Sequence, residues 1–178
     1  MPTTLPLKYV YQFIEPGPVV LLVTALPGAK PNIMAMSWHM MVEFEPPLIA
    51  CIVSSSNYSF AALHETGECV LAIPDAKLAE QVTGIGNCSG RTIDKFTEFR
   101  LTPLPGQHVM PPLVSECFVN LECRVVEIRF VNKYNMFILE CIKGWAIPDK
   151  ITVKTIHHHG FGTFTVDGET IHTASKMP

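Results

Sequence analysis

Residues 32–42 read NIMAMSWHMMV, four methionines with a tryptophan and a histidine, and the chain soon reaches Glu45-Pro46-Pro47. The methionines alternate with small residues, which predicts a strand from Asn32 to Val42. Alternate residues of a strand share a face, so Asn32, Met34, Met36 and Trp38 are expected on one side. Methionine is flexible and polarizable and specifies a core poorly. The run therefore reads either as ordinary strand packing or as a bed for something flat and apolar that is not protein.

Strand patterns dominate around this segment. Pro18 to Leu26 is a strand that Pro27-Gly28 stops, and it pairs with the methionine strand as a hairpin. Glu43 to Pro47 breaks the pattern before a buried strand over Leu48 to Ser55. In NYSFAALHETGE, Ser56 or Asn57 caps a short helix that Gly67 ends. ECVLAIP is a further strand, and Asp75 caps a helix over DAKLAEQVTGIG. Phe118 to Phe130 alternates, with Val119, Leu121, Cys123 and Val125 on one face and Asn120, Glu122 and Arg124 on the other. Lys133-Tyr134-Asn135 turns it back into NMFILECIKGWAIP. An antiparallel barrel with short inserted helices is the economical architecture, because closure removes exposed edges.

The chain of 178 residues fits one domain, residues 1–178, with 48% hydrophobic and 16% charged residues. A net charge of -3 with no basic run argues against nucleic acid or an anionic membrane as partner. So little charge points to apolar surface covered by a second subunit or a ligand. MPTTLPLKYVYQF lacks the pattern of a signal peptide, and VVLLVTAL (Val19 to Leu26) is too short to span a bilayer. The six cysteines form no CxxC pair and mostly sit in apolar runs, which reads as buried thiols in the cytoplasm.

Motifs of nucleophilic, zinc-protease or P-loop chemistry are missing. GIGNCSG (Gly84 to Gly90) has the wrong spacing for a dinucleotide fingerprint and follows a helix instead of a strand. His157-His158-His159 reads as a solvated tail segment, since neighbours on a strand face opposite ways and no carboxylate is spaced nearby to complete a metal shell. SSSNYS (Ser54 to Ser59) gathers hydroxyls at a helix start, a place to hold a phosphate. Ser54, Ser56, Asn57 and Ser59 are its candidates. SGRTIDKF (Ser89 to Phe96) adds Arg91 and Lys95, either able to neutralise that phosphate.

From Val19 to Lys143 the succession ALPGAKPNIMAMSWHMMVEFEPPLIACIV, NYSFAALHETGECVLAIP, GNCSGRTIDKF and PLVSECFVNLECRVVEI resembles the flavin reductase-like proteins, above all the flavoredoxin branch. The resemblance implies an FMN-binding split β-barrel, antiparallel and of Greek-key type, forming homodimers with the flavin near the subunit interface. It implies an oxidoreductase that moves electrons between NAD(P)H or a redox protein and FMN, with no protein nucleophile and no metal. On this likeness Asn32, Met34, Met36, Ser37 and Trp38 contact the flavin, and Ser59 and Lys95 serve its phosphate. Phe164, or else Phe161, covers the ring. Tyr134 stands where relatives carry a ring-proximal histidine. Two alternatives remain: a protein-to-protein electron carrier without a nicotinamide site, and a flavin- or tetrapyrrole-binding module without turnover.

Overall fold

The stretch expected as one strand is two strands in the computed structural model, which describes residues 3–10, 14, 17–147 and 153–174. In chain order the strands are β1 (Thr3–Leu5), β2 (Val20–Thr24), β3 (Asn32–Met36), β4 (His39–Glu43), β5 (Leu48–Ile52) and β6 (Glu68–Ile73). They continue as β7 (Pro103–Leu104), β8 (Leu113–Val114), β9 (Val119–Glu127), β10 (Met136–Ala146), β11 (Ile156–Gly160) and β12 (Thr163–Val166). The helices are α1 (Tyr58–Thr66), α2 (Ala79–Asn87), α3 (Lys95–Glu98) and α4 (Val131–Tyr134). No helix among the described residues is long and apolar enough to cross a membrane.

The main sheet runs β3-β2-β6-β9-β10-β5-β4 with antiparallel neighbours, and β1 pairs with the far end of β10. Its two end strands, β3 and β4, are joined by Ser37 and Trp38 alone. Seven strands laid flat would set those ends roughly 28 Å apart, at about 4.7 Å per strand. The three-link connection from Met36 to His39 reaches at most about 11 Å. The sheet therefore curls until its ends meet, and because β3 and β4 do not pair, the barrel stays split along that seam. This also explains the correction at Ser37-Trp38. Before it the chain pairs with β2 and after it with β5, and one continuous strand could not serve both.

Two apolar layers fill the space on either side of the sheet. Leu22, Met36, Ile49, Leu71, Leu121, Phe137 and Leu139 pack inside the barrel, where Met34 also packs. Leu21, Val23, Ile33, Val70 and Ala72 face outward against Val82 and Ile85 of α2 and Phe96 of α3. β2 is buried on both faces, so its sequence is a continuous apolar run. Cys51, Cys69, Cys117, Cys123 and Cys141 are buried, and Cys88 is partly exposed. Gly67 ends α1 in the left-handed conformation, with φ 66° and its N–H on the Leu63 carbonyl. Asp75 caps a 3-10 turn at Ala76–Leu78 that leads into α2.

β9 stops at Glu127, short of the expected Phe130. Its alternation holds, yet the polar face is covered at Asn120 and Glu122. Asn120 brackets Val114, accepting its N–H at 2.8 Å and donating to its carbonyl at 3.1 Å. Glu122 is wholly buried and accepts the backbone N–H groups of Gln107, His108 and Val109 together with the Trp145 indole N–H at 2.7 Å. Burial pushes this carboxyl up. The four donors, led by the Trp145 indole, outweigh burial and hold it below the usual carboxylate value. Glu122 thus pins the 105–110 loop to the sheet.

Glu122→Gln sets an amide NH₂ against those backbone donors. Urea denaturation should show a loss of about 1–3 kcal/mol. A depressed carboxyl contributes its stability above the unfolded value, about 4.3, and loses it as pH falls through the folded value. The gap between wild type and variant should therefore close in acid.

Candidate functional site

The site lies on the outer edge of β3. Among the described residues β3 pairs with β2 alone, so its far edge keeps backbone N–H and C=O groups for other partners. α2 packs beside that edge, and two cavities open there. The larger, about 560 Å³, is lined by Ala35, Met36 and Ser37, by Thr83, Gly86 and Asn87 of α2, and by His158, Phe161 and Phe164 of the β11–β12 hairpin. The smaller, about 250 Å³, is lined by Asn32, Met34 and Ala35, by Asn57 and Ser59 at the start of α1, and by Gly90 and Lys95. Ala35 and Gly86 line both, so the cavities meet where two small residues face each other. A Cβ built on Gly86 would touch the Ala35 methyl at 3.9 Å.

The smaller cavity brings a helix start and a buried lysine together. Asn57 is the N-cap of α1 but makes no side-chain cap bond, which leaves the first N–H groups of the helix without that partner. Asp94 caps α3 by accepting the Thr97 N–H, and it pairs with Lys30 at 2.9 Å. Lys95, the first residue of α3, is only 5% exposed and donates to the Ile85 carbonyl at 2.8 Å. Burial lowers its pKa, against a smaller opposing effect of Cys88. None of the ion pairs among the described residues involves Lys95. Its ammonium is a buried cation without a counter-charge.

Beside it the Asn32 amide donates to the Ser59 hydroxyl at 2.8 Å, while its buried carbonyl oxygen has no partner. A Cβ on Gly90 would lie 2.0 Å from that oxygen and 2.7 Å from the Tyr58 ring. Glycine is what lets the loop approach so closely.

Of the residues expected from sequence, Asn32, Met34, Ser56, Asn57, Ser59 and Lys95 converge on the smaller cavity. Met36, Ser37, Phe164 and Phe161 converge on the larger. Three stand apart. Trp38, past the end of β3, is 71% exposed and lines neither cavity, so the shared face expected for Met34, Met36 and Trp38 ends at Met36. Tyr134 is 52% exposed on α4, also outside both. Ser54 is turned onto Ser56, the two hydroxyls 2.9 Å apart. Arg91 lies over the Tyr58 ring, 5.6 Å from its centroid, and lines a third cleft of about 120 Å³.

Sequence reading missed Thr83, Gly86, Asn87 and His158, while Ala35, expected beside the methionines in the bed, lines both cavities. The histidine run is not a solvated tail: it forms β11, and His157 pairs with Asp167 at 2.7 Å. The signal was present in HHHGFGTFTVD, where two glycines mark a hairpin tip that brings the carboxylate back. Gly160, Phe161 and Gly162 all have positive φ there.

Residues 15–163 match the flavin reductase like domain. The chain belongs to the flavin reductase-like family. A protein of Archaeoglobus fulgidus is 32% identical over 157 residues, covering 85% of this chain and 88% of that one. An FMN-binding domain of a flavin reductases-like enzyme from Shewanella baltica superposes with a TM-score of 0.89 at 20% identity, covering 98% of each chain. The flavoredoxin of Desulfovibrio vulgaris (Miyazaki F) follows with a TM-score of 0.81 at 26% identity, covering 90% of this chain and 91% of that one. The flavin reductase-like fold is thus the split barrel expected from sequence.

Gly90→Ala tests the packing of this flavin reductase-like site. The new methyl must displace the Asn32 amide or the Tyr58 ring, so the variant should be less stable by about 1–3 kcal/mol in denaturant titration. Unchanged stability would show that the loop gives way freely.

Proposed function

We propose that this chain is an FMN-dependent oxidoreductase, holding the flavin ring in the larger cavity and the ribityl phosphate in the smaller. The observation that carries the reading is the buried, uncompensated Lys95 ammonium beside the start of α1. A phosphate dianion is the ligand such a pair of positive ends favours. The partnerless Asn32 oxygen fits a hydroxyl donor of the ribityl chain, and the missing Cβ at Gly90 keeps that oxygen in place.

Bound FMN would supply the redox chemistry, accepting and releasing electrons or a hydride through its ring. The chain's own residues bind and orient. Ala35 and Gly86 leave space for a planar ring, the free edge of β3 offers hydrogen bonds to its polar rim, and Phe164 and His158 form the far wall. The electron donor is NAD(P)H or a redox protein. Neither a metal nor a protein nucleophile is required. The whole chain acts as one domain, and a cytoplasmic site of action accords with cysteines that sit mostly in the apolar interior.

The protein acts as a homodimer in this reading. Trp38, just before β4, and Met40 and Val42 on β4 alternate along the chain and expose 71%, 61% and 48% of their surface at this end strand of the sheet. A second copy covering that row would bring the flavin site close to the subunit interface. Light scattering should report about 39 kDa, twice the 19.7 kDa chain, and a monomer at micromolar concentration would contradict the pairing.

Titration of apoprotein with flavins tests the cofactor. FMN should bind more tightly than riboflavin, and Lys95→Ala should weaken FMN by about 1–3 kcal/mol while leaving riboflavin unchanged. Ala35→Leu, which fills the junction of the cavities, should weaken both flavins. Equal affinity of the wild type for FMN and riboflavin would remove the phosphate argument.

A further inference from the structure

The β11–β12 hairpin forms one wall of the larger cavity, and its hold on the barrel is uneven. Its base is fixed: Ile156 is wholly buried in the outer core, and its carbonyl accepts the Val19 N–H at 2.8 Å. Beyond Ile156, Phe164 packs against the outer core, and among the described residues the hairpin's hydrogen bonding to the segment before β2 passes through one side chain, His157. The Nδ1 atom of that ring lies 3.1 Å from the Gly17 carbonyl oxygen, and Nε2 lies 2.7 Å from Asp167 Oδ1 and 3.3 Å from Thr155 Oγ1. The Thr155 hydroxyl donates to the other Asp167 oxygen, so it offers Nε2 only a lone pair. Every partner of the ring is therefore an acceptor.

A neutral imidazole has one N–H and one lone pair, and an imidazolium has two N–H groups. Only the imidazolium satisfies this arrangement on both sides. When the ring is neutral, its single proton is best kept toward the Asp167 carboxylate. The Nδ1 lone pair then faces the Gly17 oxygen, and the bond lost is the one that ties the hairpin to the barrel. Adjacent strand residues point opposite ways, so His158 lies on the cavity side, its ring 5.2 Å from that of Phe164.

We propose that His157 is a positioning residue that latches the hairpin over the larger cavity, and that it does so only as an imidazolium. Among the described residues Asp167 is the one charged group set against it. The Gly17 carbonyl and Thr155 hydroxyl are neutral, His158 is turned to the cavity, and His159 bonds to the Thr165 hydroxyl. Asp167 is suited to its part: burial pushes its carboxyl up, but the bonds from Thr155 and His157 outweigh that and hold it below its usual value. The latch therefore closes where the carboxylate is ionised and the imidazole protonated, and releases when the ring loses one of its two protons. The latch is a property of the apoprotein; only its effect on flavin release rests on the function proposed above.

Hydrogen exchange of apoprotein, corrected for intrinsic rates, tests it at about pH 5.5 and about pH 8.5, on either side of the imidazole range. With β6 as internal reference, protection of residues 156–166 should be about tenfold lower at the higher pH, the value of one charge-assisted bond. His157→Gln should be poorly protected at both. His172→Gln, at an exposed histidine outside the hairpin, should behave as wild type, and His158→Gln should keep the pH dependence of apoprotein exchange. In wild type and His157→Gln, FMN release, followed by fluorescence, should quicken in the same order. Equal protection of the wild type at both pH values, or a pH dependence that vanishes with His158 and persists without His157, would overturn the latch. Loss of the FMN arm alone would overturn the flavin assignment and leave the latch standing.

Discussion

Three peptide links between Met36 and His39 join the two end strands of one seven-strand path. This short tether has no flat solution. The sheet must curl, and the layer inside the curl becomes a closed apolar core of residues such as Leu22, Leu71 and Leu121. The tether also decides where the sheet stays open. Because the chain leaves β2 for β5 within two residues, the outer edge of β3 goes unpaired at the seam, and α2 comes to lie beside it. Both cavities are consequences of that open edge.

Two buried charges in this fold are treated in opposite ways, and the contrast separates structure from function. Glu122 receives four donors and leaves nothing for a ligand; its task is to hold the 105–110 loop on the sheet. Lys95 has three N–H groups and spends one on the Ile85 carbonyl. Desolvating an ammonium is costly unless another group completes its shell. A cation left in that condition, next to a helix start and a partnerless amide oxygen, accords with a site that is completed from outside. The proposed FMN phosphate answers that need, and the small pair Ala35 and Gly86 leaves the neighbouring space for a flat ring.

Much of this was legible in sequence because local chemistry dictated it. The turn at Gly28, the helix end at Gly67 and the hydroxyl-rich start of α1 each follow from residues within a few positions. The order of these pieces also carried the family. What failed depended on partners distant in sequence. The strand period cannot reveal that β3 and β4 pair with different neighbours, so the methionine run looked continuous and Trp38 was grouped with Met34 and Met36. Likewise the polar residues Asn120 and Glu122 alternate as an outer face would, but a loop folds over them. His157 looked solvated because its carboxylate arrives ten residues later through a hairpin. Gly86 carried no signal at all, since its part is to occupy little volume.

The claim at the centre of this account is that the Lys95 ammonium awaits an anion. Side-chain NMR of the Lys95 amino group, followed against pH with and without FMN, tests it most directly. In apoprotein the group should titrate below the usual lysine range, because it is desolvated and lacks a counter-charge. FMN should shift that titration upward, since a nearby dianion favours the charged form, and riboflavin should leave it in place. A Lys95 titration that FMN does not move would contradict the account.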